Sequence, residues 1–338
     1  MNRVIKVYMH KRIFNTCALF ALLLFSGVGL FAQQKPAMYY SDSGIIARPI
    51  AKDPKIVFFK GQYLMYYSLP GHNNQNWSIG IASSQDLTNW KKVGNIQPEA
   101  EYEKKGLCAP GAIIKDGKVH LFYQTYRNGK NDAICHAVSD DGIHFIRNAT
   151  NPVFHPTGSW TCGRAIDAEV VKFSNRYFLY FATRDTSYNI QMQGVAATSS
   201  LNTSFDRNAW TQLTDNAILT PSLPWEKKCI EGASCIQIGK YLYMFYAGGY
   251  NNEPQQIGIA KSKDGVHWQR VGNEPFLPNG KPGSWNESES GHPDIFKAND
   301  GKYYLFFQGN NNKGGSWYLS NMEVKFNGKK WVPVNKEP

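Results

Sequence analysis

The chain has 338 residues, 42% hydrophobic and 14% aromatic, with 37 Lys/Arg against 26 Asp/Glu. That is enough apolar material for one large packed domain, and no linker, charge run or low-complexity tract interrupts it. The net charge of +11 is scattered rather than gathered into a basic stripe, which argues against nucleic acid as a partner.

The first residues read as a leader. Arg3, Lys6, Lys11 and Arg12 precede an apolar run from Cys17 to Phe31, and Ala32-Gln33-Gln34 follows. This is the pattern of a secretory signal peptide over residues 1–32, cut after Ala32. The run is shorter than the roughly 20 residues a spanning helix needs, so export to the periplasm or the extracellular space is expected, with no membrane anchor. Residues 33–338 are then expected to form a single domain, and loss of the four basic leader residues lowers its charge to +7. It keeps Cys108, Cys135, Cys162, Cys229 and Cys235, an odd number for an exported protein, so at least one thiol should be free. Cys229 and Cys235 on one extended strand would stand about 20 Å apart, too far for a disulfide.

From residue 53 onward the elements repeat. "DPKIVFFKGQYLMYYS", "APGAIIKDGKVHLFYQ", "DAEVVKFSNRYFLYFA", the segment from Glu231 and "HPDIFKANDGKYYLFFQ" each hold an apolar stretch, a polar turn and a second stretch rich in Tyr, Phe and Leu. Each is a predicted β-hairpin. A second hairpin follows in every unit, as in "WSIGIASSQDLTNWKKVG" and "QQIGIAKSKDGVHWQRVG", and most end on an aromatic such as Trp90, Phe145, Trp268 or Trp331. The units start at 53, 109, 167, 231 and 292. Helical periodicity is absent, and five four-stranded units repeating radially describe an all-β, five-bladed β-propeller around a central channel.

Alignment on the aromatic after each turn exposes one column. Ten residues before Tyr63, Val119, Tyr177 and Tyr241 stand Asp53, Ala109, Asp167 and Glu231; in the fifth unit, with one extra turn residue, stands His292. If these positions open the innermost strands, symmetry gathers three carboxylates and an imidazole at one mouth of the channel. A single Asp at a strand end ordinarily caps a turn, but three acids at one repeat position suit catalysis. Acetal hydrolysis needs a proton donor and a second carboxylate, and about 6.5–9.5 Å between the two leaves room for a water and inverts the anomeric configuration. A third carboxylate raises the donor's pKa.

These segments, with "AIDAEVVKFSNRYFLYF" and "IEGASCIQIGKYLYMFY", resemble glycoside hydrolase family 43 and its five-bladed relatives from about residue 40 to the end. The resemblance implies that Asp53 is the general base, Asp167 the modulator of the acid's pKa and Glu231 the general acid. It implies no required cofactor. It places His292 beside the substrate and makes it the candidate ligand of a structural metal ion such as calcium in the channel. The implied substrate is an α-L-arabinofuranoside, β-D-xyloside or galactoside in a plant or algal oligosaccharide or polysaccharide. Ala168 and Ala233 stand where the family commonly has Pro, and no clear "NDPNG" segment supports a fructoside enzyme. A binding propeller without activity, a relative acting on anhydro-galactosides and a phosphorylase are the alternatives, the last needing a basic cluster beside the acids. Arg164 is expected to bind a sugar hydroxyl or to neutralise Asp167. Trp77 is the first of four tryptophans, with Trp160, Trp225 and Trp285, that could stack on a sugar or pack between blades. Glu169 shares the face of Asp167 and could support it from below.

Overall fold

A computed structural model describes residues 36–43, 48–71 and 76–334; the leader lies outside them. Polar two-residue turns such as Lys60-Gly61 and Asp116-Gly117 fold the aromatic stretches into hairpins. The result is five antiparallel sheets of four strands each. Blade I comprises β1 (Lys52–Phe59), β2 (Gln62–Leu69), β3 (Ser78–Ser84) and β4 (Lys91–Ile96). Blade II comprises β5 (Leu107–Lys115), β6 (Lys118–Thr125), β7 (Ile134–Ser139) and β8 (Ile146–Arg147). Blade III comprises β9 (Ile166–Phe173), β10 (Arg176–Arg184), β11 (Gln191–Ala197) and β12 (Thr211–Gln212). Blade IV comprises β13 (Ile230–Ile238), β14 (Tyr241–Gly248), β15 (Gln256–Ser262) and β16 (Gln269–Arg270). Blade V comprises β17 (Glu289–Lys297), β18 (Tyr303–Asn310), β19 (Tyr318–Phe326) and β20 (Trp331–Pro333). The chain is thus the expected five-bladed β-propeller, and no α-helix occurs among the described residues.

The core lies between blades rather than within one. Five apolar clusters each join neighbouring blades, and every one receives an aromatic from the outer part of a blade. Phe145 meets Tyr66 edge-on at 5.8 Å, Trp210 meets Phe122 at 6.0 Å, and Trp268 meets Tyr180 at 5.5 Å. Trp331 meets Phe245 at 5.5 Å, and Trp90 meets Phe306 at 6.1 Å to close the circle. Such edge-to-face pairs add about 0.5–1.5 kcal/mol each beyond their buried area, and here each also sets the angle between two blades. The segment before β1 helps close the ring: Tyr40 exchanges backbone hydrogen bonds of 2.9 and 2.8 Å with Leu319 on β19.

The innermost strands β1, β5, β9, β13 and β17 line the channel, and each breaks its ladder at the same place. Register shifts fall between Lys52 and Lys55, Cys108 and Gly111, Glu231 and Ser234, and Gly291 and Asp294; in blade III the break lies opposite Tyr180 to Ala182. Each is a β-bulge, a device that bends a strand and re-aims a side chain. Its first residue is left-handed in all five blades: Asp53 (φ 52°), Ala109 (48°), Asp167 (54°), Gly232 (58°) and His292 (43°). For a residue other than glycine that conformation costs on the order of 1–3 kcal/mol, and strain of this kind gathers at functional sites.

Candidate active site

The bulges correct the column drawn from sequence. Register places Asp53, Ala109, Asp167, Gly232 and His292 at equivalent positions, while Glu231 pairs with Ala247 as Lys52 pairs with Ser68. Glu231 therefore stands one residue before the column. The offset arises because Tyr241 faces Ile238 directly across the turn, as Gln62 faces Phe59, so it is not the equivalent of Tyr63. The glycine at the bulge lies 3.0 Å, measured from an added Cβ, from Nδ1 of His292, so a side chain there would crowd the imidazole, and its φ of 58° favours glycine as well.

Despite the offset, Asp53, Asp167, Glu231 and His292 line one pocket of about 220 Å³ at the channel mouth. His292 is its centre. Nδ1 lies 3.2 Å from Oδ1 of Asp53 and Nε2 lies 3.3 Å from Oε1 of Glu231. Gln255 donates to Oε1 of Glu231 at 2.7 Å, and Gln191 donates to Oε2. The strained bulges are held from the preceding blade: Gln308 accepts from the amide of Asp53 and Gln124 from that of Asp167, both at 2.8 Å. Among the described residues Oδ2 of Asp167 is buried without a hydrogen-bond partner, and Oδ1 of Asp53 likewise accepts no hydrogen bond, although it lies at ion-pair distance from His292.

Charge in this site is strongly coupled. Burial pushes the Asp167 carboxyl up to about 7, Glu231 and Asp53 add repulsion, and His292 opposes them. Burial also works to raise Glu231, but the hydrogen bond and charge of His292, with Gln255 and Lys52, bring it below the ordinary range. His292 loses hydration on burial, yet Asp53, Glu231 and Asp167 lift it to about 10. The free protein near neutral pH thus holds an imidazolium beside the Glu231 carboxylate, with Asp167 close to half protonated. The acids titrate as a unit, so the proton belongs to the group rather than to one residue.

A second layer lies two residues further along each inner strand: Lys55, Gly111, Glu169, Ser234 and Asp294. Nζ of Lys55 is 2.7 Å from Oε2 of Glu169 and 3.0 Å from Oδ1 of Asp294. The amide of Cys235 donates to Glu169, the amide of Ile56 to Asp294, and the Ser234 hydroxyl also to Asp294. Each charged group there has hydrogen-bond or ion-pair partners, so the layer is a cross-linked floor under the pocket, and Glu169 belongs to it.

The resemblance also raises a metal bound through His292. Asp167, Glu231 and His292 offer ligand atoms within 4.8 Å of one another. The donor set does not fit calcium, which takes six to eight oxygens, because both imidazole nitrogens face carboxylates and the ring carries a proton. Below it, Lys55 already provides the cation between Glu169 and Asp294.

Of the remaining expected residues, Arg164 and Trp77 line the pocket. Arg164 pairs through Nε with Asp132 at 3.2 Å, rather than with Asp167. Trp77 packs on Tyr126 with ring centroids 5.1 Å apart. The other three tryptophans pack between elements: Trp160 on Phe181, Trp225 on Tyr246 and Trp285 on Phe307. All five described cysteines are free thiols, with Cys108 in the pocket wall. Sequence reasoning missed Lys52, Arg184, Gln191, Tyr250 and Asn251, which also line the wall, with Gln124, Tyr126 and Ile166. Lys52 and Gln191 sit at strand starts beside the mouth, a signal the repeat alignment carries; Tyr250 and Asn251 are on a loop and leave no such trace.

The propeller and its three-acid pocket have the make-up that acid/base hydrolysis of an acetal calls for, and comparison with known proteins gives the family. The description "Glycosyl hydrolases family 43" matches residues 46–331, and the chain belongs to that family. It is 24% identical over 131 residues to a probable arabinan endo-1,5-alpha-L-arabinosidase A of Aspergillus fumigatus, covering 38% of this chain and 39% of that protein. It is 30% identical over 145 residues to a sucrose-6-phosphate hydrolase of Zymomonas mobilis, covering 39% of this chain and 28% of that one. The chain therefore matches well under half the length of these relatives. A thermostable family-43 glycoside hydrolase of known structure superposes with a TM-score of 0.69 at 19% identity, over 85% of this chain and 93% of that one, a likeness of fold.

Proposed function

We propose that the protein is an exported glycosidase that removes a terminal sugar with inversion, Glu231 acting as proton donor and Asp53 activating water. The observation that carries this reading is the placement of Asp53 and Glu231 on opposite nitrogens of His292, in one pocket. An interposed imidazole keeps the two carboxylates from touching, as the wider spacing of an inverting pair requires. Lys55 ties the inner strands together beneath them, and a pocket of about 220 Å³ suits one ring at a chain end better than a continuous groove.

In this mechanism Asp167 stores the proton. Glu231 is ionised in the free protein and must be protonated to act, and the neutral Asp167 carboxyl in the same cluster is its source. Sugar hydroxyls would occupy the unpartnered oxygen of Asp167 and displace water from the imidazolium. That desolvation favours transfer of a proton to Glu231. Glu231 then protonates the departing oxygen while Asp53 takes a proton from the attacking water.

The arabinosidase relative and the family make an α-L-arabinofuranoside the first substrate to test, followed by a β-D-xyloside and a galactoside. The leader read at residues 1–32 supports export. The test is proton NMR during hydrolysis of aryl glycosides of these sugars. The reading expects the first-formed product to carry the anomeric configuration opposite to the substrate; retention, or no hydrolysis of any of them, counts against it.

A further inference from the structure

The pocket contains more positive charge than neutral-sugar chemistry needs. Arg164, just before β9, uses only Nε toward Asp132, and its side chain is 12% exposed. Arg184, at the end of β10, uses only Nε toward Oε1 of Gln191, at 3.0 Å. No acceptor among the described residues engages the terminal amino groups of either guanidinium, and no carboxylate there lies within ion-pair distance of Arg184. Both arginines line the pocket that holds the three acids.

Arg184 is also held in place. Its guanidinium carbon lies 4.5 Å from the Tyr188 ring centroid and 5.2 Å from that of Tyr250. Stacked aromatics and the Gln191 bond fix the plane of the fork while leaving its outer donors free. Gln191 in turn holds Glu231, which ties the fork to the reacting carboxylate through one side chain. Nearby, Lys52 reaches Asn251 at 2.9 Å and lies over Trp317, and no carboxylate among the described residues contacts its ammonium directly.

We propose that this wall is a subsite for an anionic substituent on the sugar, a carboxylate or a sulfate or phosphate ester, read by Arg164 and Arg184. The proposal rests on the glycosidase reading above and names its substrate class. Neutral hydroxyls can accept from guanidinium, but they leave its charge uncompensated once the sugar has displaced water. An oxyanion supplies both the acceptors and the charge, which is the match a planar fork with free donors selects. Asp132 already neutralises part of Arg164, so Arg184 carries most of the discrimination.

The test is calorimetric binding to Glu231→Gln, so that no turnover intervenes, with galactose, galacturonate, galactose 6-sulfate and galactose 6-phosphate as probes. At least one acidic probe should bind on the order of tenfold or more tightly than galactose at low salt, and which one tells carboxylate from tetrahedral ester. The preference should vanish when Arg184→Gln is added and be only partly retained with Arg184→Lys, which keeps the charge without the fork and controls for folding. Acidic probes that bind no better than galactose, or not at all, overturn the proposal. So does a preference untouched by Arg184→Gln, or wild-type turnover that requires free inorganic phosphate. Wild-type enzyme that hydrolyses neutral glycosides while the variant shows no acid preference sinks this inference alone. An acid preference without any hydrolysis sinks the glycosidase reading instead.

Discussion

Nε2 of His292 stands 3.3 Å from Oε1 of Glu231, and the same ring reaches Asp53 with its other nitrogen. One buried cation therefore bridges both carboxylates that the mechanism needs. Replacing it by His292→Gln leaves two close acids without a counter-charge. Loss of one partner from a buried pair costs about 3–5 kcal/mol, so the variant should melt earlier and turn over at least 10²-fold more slowly. A variant with normal turnover would remove His292 from the account.

The pH profile should carry the mark of Asp167. Its carboxyl is raised to about 7, so the proton the mechanism draws on is lost as pH climbs through that value, and kcat/KM should fall about tenfold per unit beyond it. Asp167→Asn removes that proton source, so it should lower turnover across the pH range and leave no limb near pH 7. Stability follows the same sign. Asp167 and His292 both have folded pKa values above the ordinary 3.8 and 6.5, so their contributions are full below those values and are lost as pH rises through about 7 and about 10. Urea titrations at pH 6 and pH 9 should show the difference.

Lys55 should matter to stability more than to chemistry. Lys55→Met strands Glu169 and Asp294 in the floor and should destabilise by about 3–5 kcal/mol. Adding Glu169→Gln and Asp294→Asn should restore much of the loss in thermal melts, because the stranded charge is gone.

Acid should attack blade II. His120 and His136 stack at 5.2 Å with Nδ1 of one 3.0 Å from Nε2 of the other. Burial holds them at about 4 and about 3, with Lys115 adding repulsion on His120 and His120 on His136. Their folded values lie below the unfolded 6.5, so their contribution is present above that pH and is lost as pH falls from 6.5 toward 4. Each group is worth about 1.4 kcal/mol per pH unit across the window, and His120→Gln/His136→Gln should flatten the slope.

The repeat makes the blades legible in the sequence, because hairpins of period-two aromatics separated by Gly turns have few other ways to bury themselves. It also brings Asp53, Asp167 and His292 together correctly, since each opens a bulge. The one-residue displacement of Glu231 is hidden because Tyr241, the aromatic that aligns blade IV, sits one place nearer the turn than its counterparts. Arg184, Tyr250 and Asn251 are not legible, since their meeting depends on loop paths and on the angle between blades rather than on any local pattern. The charge of the floor is only half visible: Glu169 stands out beside Asp167, but its partner Lys55 lies in another blade, 114 residues away.

The most direct test of Glu231 as proton donor compares Glu231→Gln with wild type on two glycosides of one sugar, a dinitrophenyl and a methyl glycoside. The account predicts a loss of roughly 10² or more with the methyl group, whose oxygen needs the proton, and a much smaller loss with dinitrophenolate, which leaves without it. Equal losses on both, or no loss on either, would contradict it.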